Sequence, residues 1–224
     1  MPNVWIVIAA FREEKVIAGV VRAVKALYPN VVVVDDASVD RTGDEAKAAG
    51  AVVIEHFINR GQGAALKTGI SYALSHGADI LVTFDADGQH DVNDIAKLIT
   101  PIQEDKADVV LGSRFLEAAS NVPPLRRMVL RAGVIFTRVL SGLKVTDTHN
   151  GLRAMNRQAA KNIRIVQDRM AHASEILDEI GRLRLRYQEV PVTITYSYYS
   201  KGKGQSSWGL FKIVFKYVIH KISH

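Results

Sequence analysis

The sequence predicts an α/β fold on a mostly parallel, Rossmann-like sheet, with helices on both faces. Three observations carry that expectation. Short apolar runs recur through the first half of the chain and are continuous rather than alternating, as strands read when both their faces are covered. Amphipathic helical patterns separate the runs. Several runs end in carboxylates or an arginine, and strand ends of open α/β sheets are where ligands bind.

The elements follow in order. Strands are expected at Val4–Ala10, Val31–Asp35, Ala51–Glu55, Ile80–Phe84 and Asp108–Gly112. Helices are expected between them at Lys15–Leu27, Gly43–Ala49, Gly61–Ser75 and Asp91–Gln103. Ser38 and Asp40 offer helix caps, and Asp91 puts an acid at a positive helix end. Beyond Arg114 the pattern changes. Asn121-Val122-Pro123-Pro124 breaks the chain. A helix is expected over Arg126–Leu140, a polar loop at Asp147–Gly151, a helix over Ala171–Leu183 and an alternating strand at Val190–Tyr198. Ser200–Ser206 is a glycine-lysine loop, and Ser207–Ile222 is a last helix. One domain is expected over 1–224: a nucleotide-type half (1–115), an acceptor-type half (116–206) and a closing helix (207–224).

With 224 residues and 48% hydrophobic composition the chain can bury a substantial core. It has no cysteine, which excludes disulfides and thiolate metal sites. No run reaches the ~20 apolar residues of a membrane span, and Val4–Ile8 is too short for a signal segment. These features fit a cytoplasmic protein. A net charge of +6 suits an anionic partner such as a nucleotide, a lipid phosphate or a membrane surface. The last helix is apolar over most of its surface, with Lys212, Lys216 and His220 forming one narrow cationic stripe. At ~1.5 Å per residue it cannot span a bilayer, so it suits a membrane interface, a membrane protein partner or a second subunit.

Asp85-Ala86-Asp87-Gly88-Gln89-His90 is the segment richest in chemistry. On an extended backbone Asp85 and Asp87 point the same way. Paired carboxylates at a strand end repel unless a cation lies between them. A hard divalent ion, Mg²⁺ or Mn²⁺, bridging to a phosphate supplies it, with Gln89 as a further oxygen ligand. Asp36 closes a second buried strand and can accept from a base or ribose. Phe11 can pack a base, and Glu13 follows it. Asn59-Arg60-Gly61-Gln62-Gly63 permits close backbone approach at a helix N-terminus, which favours anions, and Arg60 adds a positive charge. Leu66 breaks both the dinucleotide and the P-loop patterns there. Arg114 ends the fifth strand with a fork of donors suited to phosphate, and Arg126 and Arg127 follow. Asp147 and Glu175 are candidate acid or base groups, each equally readable as a surface or cap residue.

In this order these segments resemble the family 2 glycosyltransferases of the GT-A fold, with the strongest likeness to polyprenol-phosphate hexosyltransferases such as dolichol-phosphate mannosyltransferase. The resemblance rests on Ala9-Ala10-Phe11-Arg12-Glu13-Glu14, Val34–Asp40, Asn59–Ala65, Asp85–His90, Gly112-Ser113-Arg114, Asp147–Arg153 and Glu189-Val190-Pro191-Val192. It implies a donor pocket in which Ala9, Phe11, Glu13 and Asp36 hold the nucleoside and Asp85 and Ala86 lie near ribose and metal. Asp87 and Gln89 would ligate the metal on the diphosphate. Arg114, with Arg126 or Arg127, would face an acceptor phosphate. Lys201 and Lys203 would close over the diphosphate. The implied reaction moves a hexose from a UDP- or GDP-linked sugar to a polyprenyl or dolichyl phosphate at the cytoplasmic face of the membrane, with inversion. No nucleic acid is implied, and a homo-oligomer is compatible. The family pattern often has proline where Ala9 stands, and an arginine before the late glycine loop where this chain has Tyr198-Tyr199.

Other classes compete. A sugar hydroxyl acceptor would need a base, with Glu175 or Asp147 the candidate. Phe84-Asp85-Ala86-Asp87-Gly88 also resembles the opening motif of HAD-type phosphatases, with Asp85 as nucleophile, but it arrives after three strands and lacks the following threonine. A nucleotidyltransferase would share the architecture but not the missing Gly- and Arg-rich opening loop. A non-catalytic nucleotide-binding protein is the remaining alternative.

Overall fold

A computed structural model describes residues 2–116, 143–148 and 150–195. A seven-stranded sheet runs through them in the order β3-β2-β1-β4-β6-β5-β7. Its strands are β1 (Val4–Ala10), β2 (Asn30–Asp35), β3 (Val52–Glu55), β4 (Ile80–Asp85), β5 (Val109–Ser113), β6 (Arg153–Asn156) and β7 (Tyr187–Pro191). The first four are mutually parallel and β5 is parallel to β7. Only β6 runs antiparallel to its neighbours, β4 and β5. The helices are α1 (Ile17–Lys25), α2 (Thr42–Ala48), α3 (Gln62–Ser75), α4 (Asp94–Gln103), α5 (Arg157–Asn162) and α6 (His172–Arg182).

The continuous apolar runs are explained by two cores, one on each face. Ile6, Ile8, Val31, Val33, Ile80, Val82 and Phe84 face α1 and α4, meeting Ile17, Val21, Val24, Ile95 and Leu98. The alternate residues Trp5, Val7, Val32 and Leu81 face α3 and α6, meeting Leu66, Ile70, Ile176, Leu177 and Ile180. Period-two geometry divides each strand between the cores, so both sets of positions must be apolar.

Several expected elements are displaced. The late strand was expected at Val190–Tyr198 but lies at Tyr187–Pro191, registered on β5 from Val109↔Tyr187 to Ser113↔Pro191. Pro191 has no N–H to extend the ladder. The chain then crosses to His90, which bridges Ile194. Strand β6 and helix α5 were not expected. The four residues of β6 include Arg153 and Asn156, too few and too polar to show a period. Ser38 does not cap a helix: its hydroxyl donates to Asp35 and accepts from the Arg12 amide at 2.9 Å. Asp40 does not stand at a cap either: Arg41 holds the N-cap position of α2, and Asp40 accepts from the Thr42 amide at 3.1 Å from one residue further out. Asp91 precedes α4 by a turn, accepting from the Asn93 amide at 2.9 Å. No described helix is long and apolar enough to cross a membrane. The expected helices at 126–140 and 207–222 and the 200–206 loop lie outside the described residues.

Candidate active site

Strand β1 has β2 on one side and β4 on the other, so chain order reverses here and a crevice opens at the strand ends. A cavity of about 960 Å³ occupies it. Ala9, Ala10, Phe11 and Glu13 line it from the end of β1, Asp36 from β2, and Asp85, Ala86 and Asp87 from β4. Asn59, Gly61, Gln62 and Ala65 contribute from the turn into α3, and Gln167 to Ala171 from the connection before α6. The structure therefore gathers Ala9, Phe11, Glu13, Asp36, Asp85, Ala86 and Asp87 around one space.

Asp85 is the last residue of β4, and Asp87 stands in the turn after it. The extended-backbone argument for their common direction therefore does not hold; the turn sets their relation. Asp85 is clamped. Gln62 Nε2 donates to its Oδ1 at 3.1 Å, and His90 Nε2 lies 2.8 Å from its Oδ2. A Cβ on Gly151 would collide with this carboxylate, so any other residue there would displace Asp85 from its place. Burial alone would raise the Asp85 carboxyl, but the His90 hydrogen bond and the charges of His90, Arg153 and His172 outweigh it and hold it low. Asp87 moves the other way, raised by burial and then by the charge of Asp85. A cation beside Asp87 would relieve that repulsion.

Gln89 donates its Nε2 to Asp87 Oδ2 at 2.7 Å, and its backbone N–H donates to Oδ1 at 3.0 Å. Asp87 and the Gln89 amide oxygen form a hard, all-oxygen pair, which fits Mg²⁺ or Mn²⁺. Among the described residues no group of three His, Cys, Asp or Glu side chains could hold a metal ion. A divalent ion at Asp87 would thus complete its shell with ligand oxygens and water.

Asp36 is nearly fully buried and well occupied. Its Oδ1 lies 2.7 Å from His56 Nδ1 and accepts from the Arg60 amide at 3.0 Å, and its Oδ2 accepts from the Gly61 amide at 2.5 Å. Each oxygen has two lone pairs, so Oδ2 retains one for a ligand. The start of α3 was expected to favour an anion. Instead, the Ala64 amide donates to the Asp168 carbonyl at 3.0 Å. Arg60 pairs with Asp168 across an exposed 3.1 Å contact. Gly61, at φ +106°, has no room for a Cβ because the Asp168 carbonyl would lie 2.7 Å away. The glycines there admit a close approach by another segment of the same chain, while Gly61 and Gln62 still line the cavity.

Arg114 and Asp147 meet in a buried two-pronged pair, Nε–Oδ2 at 2.7 Å and Nη2–Oδ1 at 2.8 Å. Only 1% of the Asp147 side chain is exposed. Glu189 supports the same loop, accepting from the Thr146 amide at 2.8 Å. Burial and then the nearby Asp147 charge raise its carboxyl. Glu175 accepts from the amides of Val166 and Gln167 at 3.0 and 2.9 Å, holding the segment that lines the cavity rather than lining it. Arg153 was not singled out by sequence. It is buried on β6, and burial pushes its guanidinium down to about 10 despite the charges of Asp85 and Asp147. The Gln167–Ala171 wall was also missed, because it reaches the site only through packing on the start of α3. Arg126, Arg127, Lys201 and Lys203 lie outside the described residues.

The family model Glycosyl transferase family 2 matches residues 5–164. A UDP-N-acetylglucosamine–dolichyl-phosphate N-acetylglucosaminyltransferase of Methanococcus voltae is 35% identical, over 98% of this chain and 96% of that protein. An undecaprenyl-phosphate mannosyltransferase of Micrococcus luteus is 33% identical, over 73% of this chain and 71% of that one. Among solved structures, glucosyl-3-phosphoglycerate synthase of Mycobacterium tuberculosis, in complex with Mn²⁺, uridine-diphosphate-glucose and phosphoglyceric acid, superposes with a TM-score of 0.75 at 18% identity. That match covers 99% of this chain and 79% of the other.

Proposed function

This chain belongs to glycosyl transferase family 2, and from that premise we propose that it moves a hexose from a nucleotide-diphosphate sugar to a polyprenyl or dolichyl phosphate. The observation that carries the reading is the carboxylate-walled cavity at the reversal of strand order, with Asp87 raised by burial and then by the charge of Asp85. Such a wall repels an anionic donor unless a divalent cation accompanies it. The relatives of known activity, named for dolichyl-phosphate and undecaprenyl-phosphate transfer, support the acceptor class.

When bound, a divalent cation at Asp87 and Gln89 supplies Lewis acidity toward the departing diphosphate. The protein's residues do the rest. Phe11 and Glu13 receive the nucleoside beside Asp36. Gln62 and His90 fix Asp85 so that its carboxylate cannot swing toward the sugar. Attack on the anomeric carbon from the face opposite the diphosphate inverts that centre through an oxocarbenium-like state. An acceptor phosphate arrives already ionised and needs no strong base. The engagement of Asp147 with Arg114, and of Glu175 with backbone amides, favours such an acceptor over a sugar hydroxyl.

The test is direct. Purified protein with Mn²⁺ is offered radiolabelled UDP- and GDP-sugars and undecaprenyl or dolichyl phosphate, and lipid-linked label is counted. Label on the lipid phosphate supports the reading. Transfer only to saccharide hydroxyls, with none to lipid phosphate, would overturn the acceptor assignment. Under the phosphate reading Glu175→Gln leaves most of the activity; under the hydroxyl reading it is severe.

A further inference from the structure

The cavity is acidic on several sides: Glu13, Asp36, Asp85, Asp87 and Asp168 all line it. Among its described lining residues only one is a lysine or arginine, Arg169. The charge of Asp168 is met by Arg60 at 3.1 Å. Arg169 has no such match: among the described residues its guanidinium has no hydrogen-bond or ion-pair partner. Its backbone is fixed, because its carbonyl lies 2.8 Å from His172 Nδ1. Its stem has a path, because a Cβ on Gly61 would stand 2.8 Å from Arg169 Cγ. An exposed, unpaired guanidinium on a pinned backbone at an acidic cavity is a ready anion receptor.

We propose that Arg169 receives the diphosphate of the nucleotide-sugar donor, supplying the protein's own positive charge beside the cation at Asp87. This rests on the donor reading above.

The test uses the full chain with Mn²⁺. Calorimetry with UDP and with GDP identifies the nucleotide that wild type binds, and ligand-observed NMR measures the corresponding nucleoside. Arg169→Gln is expected to weaken the nucleoside diphosphate by roughly 10- to 100-fold. Nucleoside binding and the melting temperature without ligand should stay unchanged, and Arg169→Lys should recover part of the loss. A merely structural role would weaken nucleoside and diphosphate in parallel or lower the unliganded melting temperature; either result overturns the proposal. Unchanged diphosphate affinity in Arg169→Gln overturns it too and leaves the donor reading standing. If wild type binds neither UDP nor GDP with Mn²⁺, the donor reading falls and takes this proposal with it.

Discussion

Asp87 and Asp85 share a motif but not an environment. Asp85 is held on both oxygens by Gln62 and His90, while Asp87 is raised by burial and by Asp85, with Gln89 and the charge of His90 against it. Asp87→Ala is therefore expected to reduce transfer by at least ~100-fold, since a Lewis acid contributes several kcal/mol. It should also abolish stabilisation by nucleotide that depends on Mn²⁺; near-normal transfer by this variant would sink the metal assignment. Arg114 sets a different expectation from the one its strand-end position suggests. Its fork is committed to Asp147, which is 1% exposed. Arg114→Met removes the two guanidinium donors from a carboxylate that stays buried, at a cost of about 3–5 kcal/mol. A fall in melting temperature of roughly 10 °C should follow. If Arg114 instead serves only to face acceptor phosphate, the same variant keeps its melting temperature and raises KM for the lipid.

At the scale of elements, each half of the sheet is held in its own way. Helix α6 sits on the sheet through Ile176, Leu177 and Ile180, all buried. Leu177→Ala is expected to cost about 2–5 kcal/mol, read by urea denaturation. It also shifts the connection before α6, so donor affinity should fall with stability. Strands β5 and β7 are stapled at their starts by Arg186, whose Nη2 reaches Asp108 Oδ1 at 2.9 Å and Asp105 Oδ1 at 2.6 Å. The Arg186 hydrogen bond holds the Asp108 carboxyl below its ordinary value. A carboxyl lowered in the folded state adds stability above its unfolded value and loses it as pH falls through the folded one. Arg186→Met should therefore lower the melting temperature by a constant amount near neutral pH. The gap to wild type should close below about pH 4, where unfolded aspartate protonates; a gap that persists in acid would deny the staple its electrostatic part. These elements also mark what could be read in advance. Strands β1, β2 and β4 were legible because burial on both faces demands unbroken apolar runs, and their ends led to Phe11, Asp36 and Asp85. Strand β6 was not, because Arg153 is there to balance Asp85 and Asp147, a long-range electrostatic need without local signature. What approaches Gly61 was not legible for a related reason. Close backbone approach is visible in sequence, but whether a phosphate or Asp168 makes the approach is decided by a segment roughly a hundred residues away.

Taken whole, the chain is basic, at +6, yet the cavity at the reversal of strand order is walled by acids. Under the donor reading, the long-range field attracts the nucleotide, and the local field resists its diphosphate until a cation is in place. Cation and nucleotide would then assist each other, and by linkage each would raise the other's affinity by the same factor. The described residues offer no cluster of three His, Cys, Asp or Glu to hold a metal, so on this reading the cation would lean on the diphosphate for ligands. A ligand present at about 100 times its dissociation constant stabilises the folded state by ~2.7 kcal/mol. For a chain of this size that raises the melting temperature by roughly 5–10 °C. Mn²⁺ alone and nucleoside diphosphate alone should each give a small fraction of this rise, and the pair should give all of it. Chelation by EDTA should return the protein to the value with nucleotide alone. If nucleoside diphosphate without metal produces the full rise, the carboxylate wall is not the barrier its charges imply, and the cation has no place in donor binding.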